Sequence, residues 1–208
     1  ALDALRHLEV DVVLLDVEMP VMDGITALPL ILNLYPKVRV IMASSLTQQG
    51  AAITMQALSL GAADYISKPS ARAGGSALAS VSHEIVTKVR AIGRARKTNL
   101  DAMLRPAPRP APPAAASIIV ASHGSASEAT PKVLAIAAST GGPNALADVL
   151  GGLPVDFPLP ILVTQHMPPV FTALLAQRLQ RDAGRPCVEA TNGMPVKPGC
   201  TYVAPGDW

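Results

Sequence analysis

The chain has 208 residues, half of them apolar, which is enough for one large folded core or two modest ones. Charged residues make up 15% and the net charge is only +2, so no broad basic footprint for nucleic acid exists, and no helix-turn-helix or zinc-finger spacing accompanies it. Cys187 and Cys200 form no CxxC pair and have no histidine at ligand spacing, no apolar run reaches the roughly 18 residues a membrane span needs, and the N-terminus lacks a signal-peptide layout; two reduced thiols, a cytoplasmic location and no membrane insertion are expected.

In chain order, "ALDALRHLEV" reads as helix and runs into "VDVVLLD", a continuous apolar strand of the kind a parallel sheet buries on both faces. "VEMPVMDG" is a loop and "ITALPLILNLYP" a helix in spite of Pro29. "VRVIMASS" is the next strand, "TQQGAAITMQALSLGA" a helix ending near Gly61, and "DYIS" a short strand before Lys68 and Pro69. Strands alternating with helices predict α/β, doubly wound, with helices on both faces of a parallel sheet. In such sheets ligands gather beyond the C-terminal strand ends. Asp16, Ser44 and Lys68 each end or follow a strand, so one edge receives a carboxylate, a hydroxyl and an ammonium. That trio suits an aspartyl phosphate: Asp16 as nucleophile, Lys68 pairing with the added charge, and the Ser44 hydroxyl drawn to a phosphoryl oxygen. The plainer reading of a single strand-end aspartate is a solvated cap.

"LLDVEMPVMDG", the strand ending in "ASS" and "GAADYISKP" resemble the receiver domain of two-component response regulators, a flavodoxin-like fold. The resemblance implies that Asp16 is the phosphoacceptor, that Lys68 is the site lysine with a cis proline after it, and that Asp16 is one ligand of the Mg²⁺ held by the complete receiver domain. Tyr65 falls where receivers carry a rotating aromatic, with a simple core tyrosine as the alternative. The family's first strand, which bears an acidic pair, would lie before residue 1.

Residues 71 to 98 predict one more helix, basic toward its C-terminal end as the helix dipole favours. Residues 99 to 131, rich in proline, alanine and serine, read as a linker with too little to bury to offset its ordering entropy. Alternation then resumes: a strand over 133 to 138, a helix from Pro143, the strand "PILVTQ", the turn "HMPP", the helix "VFTALLAQRLQ", and strands near "CVEA" and "CTYVAP". The expected domains are therefore 1 to 98, the linker 99 to 131, and a second unit over 132 to 208. Because the chain begins inside a helix-like segment and stops at "VAPGDW" just after a strand, an internal piece of a longer protein is expected.

The turn "AASTGGPNAL" admits two readings. Its glycines let backbone N–H groups cradle a phosphate at a helix start, although neither GxGxxG nor a GK[ST] ending is present. Alternatively Ser139 projects its Oγ into the strand-end crevice as a nucleophile, while N–H groups of Thr140, Gly141 and Gly142 and the helix start stabilise an oxyanion. A serine needs a base, and His166 ends the next strand. If those strands are neighbours about 4.8 Å apart, imidazole and hydroxyl come within reach.

"KVLAIAASTGGPNAL", "PILVTQHMPPVFTALLAQRL", "EATNGMPVKPG" and "TYVAPGDW" resemble the catalytic domain of the chemotaxis protein-glutamate methylesterases, the CheB family, whose domain order is receiver, linker, esterase. The resemblance implies a Ser, His, Asp hydrolase of glutamate methyl esters, with glutamine deamidation, needing no cofactor for the ester chemistry. Ser139 becomes the nucleophile and His166 the general base. No aspartate here matches the family's third member, which would lie beyond this chain; Asp207, in the "APG" turn, suggests a binding loop, and the chain by itself is expected to be weakly active or inactive. Implied partners are methylated chemoreceptors (methyl-accepting chemotaxis proteins) and a chemotaxis histidine kinase, with no nucleic acid. Two other readings remain: a response regulator whose second domain binds a phosphate-bearing ligand without catalysis, and a DNA-binding output domain, for which "FTALLAQRLQRDAGR" is weakly basic.

Overall fold

The computed structural model describes residues 2–69, 75–104 and 130–207. After a short helix α1 (Leu2–His7), the apolar run forms β1 (Val12–Asp16) and the loop that follows feeds α2 (Gly24–Leu34). The Asp23 carboxylate caps α2 by accepting the Thr26 N–H at 2.8 Å. Pro29 lies inside α2 and removes one helical N–H, yet the helix persists because Leu28 and Ile31 are fully buried beneath it. β2 (Arg39–Ser44), α3 (Gln48–Ser59, capped by the Thr47 hydroxyl), and β3 (Asp64–Ser67) complete a parallel sheet in the order β1-β2-β3. In register, Asp16 faces Ala43 and Ser44 faces Ser67, so the three strands end together.

The expected helix after residue 71 is α4, Gly75–Leu104, which runs beyond the expected boundary at 98 and stops ahead of Pro106. The rest of the proline-rich stretch, residues 105 to 129, lies outside the described residues. The second sheet contains β4 (Leu134–Ala138), β5 (Ile161–Gln165), β6 (Cys187–Glu189) and β7 (Thr201–Val203), all parallel in the order β4-β5-β7-β6, with α5 (Gly142–Gly152) and α6 (Pro169–Ala183) between strands. The expected doubly wound α/β character holds in both sheets.

Phe171, Leu175 and Leu179, spaced four apart, give α6 a fully buried stripe, and Leu146 and Leu150 do the same on α5. These side chains and those of the first sheet, such as Leu28, Met55 and Tyr65, belong to one apolar cluster. The two units therefore share a core: α3 packs on α6, and the Tyr65 ring stacks on Phe171 at 4.8 Å between centroids with 9° between planes.

Candidate active site

Two constellations sit at strand ends. On the first sheet, Lys68 Nζ lies 2.6 Å from Asp16 Oδ1, and the same oxygen accepts the Glu18 N–H at 3.1 Å. Burial pushes the Asp16 carboxyl up, but the Lys68 hydrogen bond, the Glu18 N–H and the Lys68 charge outweigh it and hold the group below its ordinary value. Gly24 is pressed against the Asp16 carbonyl, where any Cβ would collide, and its N–H bonds to Val17 C=O at 3.0 Å. The loop is thus folded back on the acid. Ser44 is engaged differently: its hydroxyl is buried and donates to Gly50 C=O at 3.0 Å, at the start of α3, while its C=O accepts the Lys68 N–H at 2.7 Å. The Lys68–Pro69 peptide is trans, which corrects the cis step implied by the receiver resemblance; trans is the intrinsically preferred isomer of an X–Pro bond by about 0.5–1 kcal/mol.

On the second sheet, Ala138 pairs with Gln165 and the His166 N–H bonds to Ala138 C=O at 3.1 Å. Ser139 and His166 therefore leave adjacent strands at the same level, and both are exposed. Their side chains are not hydrogen-bonded to each other. After Ser139 the chain closes a tight turn, with Gly142 N–H donating to Ser139 C=O at 2.8 Å. Gly141 caps α5 in the left-handed conformation, φ 71°, which a glycine adopts without steric cost, and no side chain caps this helix start. The helix begins one residue earlier than expected, at Gly142.

The amide of Gly141 does not face solvent. It donates to Asp64 Oδ2 at 2.9 Å, a carboxylate from the first unit that is 1% exposed. Asp64 Oδ1 accepts the Tyr65 N–H at 2.8 Å and lies 3.4 Å from Lys88 Nζ, so the buried charge is paired and bonded on both oxygens. Lys88 also bonds to Tyr65 C=O at 2.6 Å, pairs with Glu84 at 2.9 Å, and sits 4.7 Å over the Tyr65 ring. Beside this contact, Asn144 Nδ2 donates to Ala62 C=O at 2.8 Å while its Oδ1 accepts from Arg178 at 2.8 Å.

A cleft of about 440 Å³ opens between the units, lined by Tyr65, Ser67 and Glu84 on one side and Gln165, His166 and Asp207 on the other. Gly206 seats the "APG" turn against the His166 segment: a Cβ there would lie 2.5 Å from Met167 C=O and 2.6 Å from the Pro168 carbonyl carbon. That close approach brings Asp207, at φ 64°, to the cleft wall. Asp182 pairs instead with Arg178 and Arg181 at 3.2 and 3.3 Å. Gln165, Asp64 and Gly206 were not singled out from sequence; of these only the paired glycine and proline of "APG" carried a local signal.

Residues 134–208 match the CheB methylesterase family and residues 1–77 the response regulator receiver domain family. The chain is similar to a protein-glutamate methylesterase/protein-glutamine glutaminase of Azospirillum brasilense, 44% identical over 218 residues that take in 100% of this chain and 55% of that protein. A second relative, protein-glutamate methylesterase/protein-glutamine glutaminase 2 of Caulobacter vibrioides, is 49% identical over 210 residues, 100% of this chain and 57% of its own length. Among solved structures, the Thermotoga maritima CheB methylesterase catalytic domain is 48% identical over 38% of this chain and 42% of that one, with a TM-score of 0.36. The chain spans a little more than half the length of the curated relatives it matches.

Proposed function

We propose, from the matches to the CheB methylesterase and receiver domain families, that the Ser139 turn hydrolyses glutamate methyl esters on chemoreceptors, and deamidates glutamines, under control of the receiver. The observation that carries the reading is the placement of Ser139 and His166 at the ends of the paired strands β4 and β5, joined by the His166 N–H to Ala138 C=O bond.

In the proposed reaction His166 accepts the Ser139 hydroxyl proton as Oγ bonds to the ester carbonyl carbon. Negative charge develops on the carbonyl oxygen, next to the Thr140 and Gly141 amides, while the Gly142 N–H holds the turn through Ser139 C=O. The C–OCH₃ bond breaks, and the imidazolium returns its proton to methoxide, releasing methanol. Water then attacks the acyl-enzyme with His166 again as base, leaving a glutamate carboxylate and free Ser139. For glutamine the leaving group is ammonia. Among the described residues no carboxylate is bonded to His166, so the orienting acid is assigned to none of them.

Regulation follows from the contacts between the units. With Asp64 on the Gly141 amide and Tyr65 on Phe171, the receiver covers one wall of the cleft and occupies an amide that the reaction needs. Phosphorylation of Asp16 by a chemotaxis histidine kinase breaks the 2.6 Å Lys68 pairing as it stands and shifts the population toward an open form. Receiver domains of this kind take up Mg²⁺, a hard cation wanting near-octahedral oxygens. Asp16, now engaged by Lys68 at 2.6 Å, is the described side chain that would hold the ion as one oxygen donor of the complete receiver domain, and no step is routed through it. No described helix is long and apolar enough to cross a membrane; action in the cytoplasm, on the cytoplasmic part of methylated receptors, belongs to the proposal. The relatives favour this reading over a non-catalytic phosphate-binding output domain.

The test is methanol release from carboxyl-methylated receptor fragments by a chain extended to the length of its curated relatives. Ser139→Ala is expected to remove release by several orders of magnitude, on the order of 10⁶ in the serine-protease case. Release that persists in the variant would overturn the nucleophile assignment.

A further inference from the structure

Between the two candidate catalytic turns lies a side chain that the mechanism above does not use. Gln165, the last residue of β5, is 6% exposed, and its Nε2 donates to Ser139 C=O at 3.0 Å and to His166 C=O at 3.3 Å. Two carbonyls in front of one amide fix which end carries the hydrogens, because only the NH₂ can donate. Its Oε1 therefore points the other way, toward the first residue of α5, where it is buried and no described protein group bonds to it. Gly142 makes room for it: a Cβ there would overlap Oε1, come within 2.8 Å of the amide carbon and lie 3.0 Å from the Ala138 Cβ.

A methionine or leucine would fill this volume without stranding a buried acceptor, whose desolvation is an uncompensated cost. Packing alone gives no reason for an amide. What the amide adds is a bridge, with one hydrogen for the carbonyl of each residue that the reaction needs. Without it the backbone bond from His166 N–H to Ala138 C=O would be left as the hydrogen-bonded link between the turns. We propose that Gln165 is a positioning residue, which holds the Ser139 and His166 main chains at a fixed separation through one planar amide, and that Gly142 is a glycine because that amide occupies the space of its side chain. The proposal rests on Ser139 and His166 being nucleophile and base. Reaction rate is steep in this separation, since a displacement of about 1 Å can cost about 100-fold.

The experiment uses the chain at the length of its curated relatives, with carboxyl-methylated receptor fragments as substrate and a fluorophosphonate to titrate the reactivity of Ser139. Gln165→Met, near in volume and lacking donors, is expected to lower kcat about 10- to 100-fold, to leave KM within about threefold, and to slow phosphonylation by the same factor as kcat, without lowering Tm. Gly142→Ala should reproduce the defect by displacing the amide. Combined with Gln165→Ala, which vacates the space, it should add no further loss, so the pair is non-additive. A Gln165→Met enzyme with wild-type kcat and phosphonylation rate, or fully additive losses in the cycle, would overturn the proposal. Ser139→Ala separates the two ideas: if it retains methanol release, the nucleophile reading fails and this one with it, whereas loss there beside normal Gln165→Met activity refutes this one alone.

Discussion

Replacing Asp64 by asparagine removes one charge at the junction of the two units and little else. The carboxylate accepts the Gly141 N–H at 2.9 Å across the interface, whereas its other contacts, to the Tyr65 N–H and Lys88, lie within the first unit and do not cross the interface. Only the cross-interface bond therefore biases the equilibrium. A charge-assisted hydrogen bond contributes about 1.5–3 kcal/mol and a neutral one about 0.5–1.5, so the substitution weakens the closed form by about 1–1.5 kcal/mol. At about 1.4 kcal/mol per tenfold, the unphosphorylated esterase rate should rise roughly 5- to 12-fold, with the fully phosphorylated rate as its ceiling. Lys88 keeps Glu84 at 2.9 Å and Tyr65 C=O at 2.6 Å, so no orphaned cation complicates the result. The assay is methanol release with and without a small-molecule phosphodonor, in a chain of the relatives' length. An unchanged basal rate, or a rise of equal size in both conditions, would refute the view that this carboxylate restrains the serine turn.

Two titrations give further checks. Burial pushes the Cys187 thiol up to about 12, while Cys200 is only half-buried. Iodoacetamide near neutral pH should therefore label Cys200 in the native protein and Cys187 only on unfolding; equal native rates would contradict the packing of β6. The protonated Cys187 thiol contributes stability in full below its ordinary 9.0, and that contribution is lost as pH rises toward about 12, which base titration of a Cys187→Ala variant should flatten. At the acid end, Asp16 is held below its ordinary 3.8, so its contribution is present above that value and lost as pH falls through the lowered one. Both partners of the Lys68 pair are more than a third exposed, which keeps the effect on stability small, but Lys68→Met should move the carboxyl titration followed by NMR upward. An unmoved midpoint would mean that the pairing does not hold in solution.

Most strands and their C-terminal neighbours were legible because each apolar run ends abruptly on a polar residue: Asp16, Lys68, Ser139 and His166 all lie where those boundaries put them. Side-chain direction was not legible. Ser44 ends β2 as expected, yet its hydroxyl finds the Gly50 carbonyl six residues on, a bond that depends on how α3 begins. Gln165 in "ILVTQH" reads as an ordinary polar strand end, and its bridging role appears only once β4 lies beside β5. Asp64 opens the expected strand "DYIS", but its partner is 77 residues away and no local pattern encodes that distance. The end of α4 lies past the compositional change at 99, because "TNLDAML" contains no proline or glycine and the first hard breaker is Pro106.

The stack of Tyr65 on Phe171, 3% and 0% exposed, makes part of the closed arrangement apolar. Apolar burial near room temperature is driven by entropy and weakens on cooling, unlike the carboxylate bond beside it. The proposed opening would uncover these rings and so carry a positive heat-capacity change. Under the proposed regulation the restraint on the serine turn thus has a thermal signature of its own: cooling should part the two units more readily for the same phosphorylation and raise the unphosphorylated rate relative to the phosphorylated one.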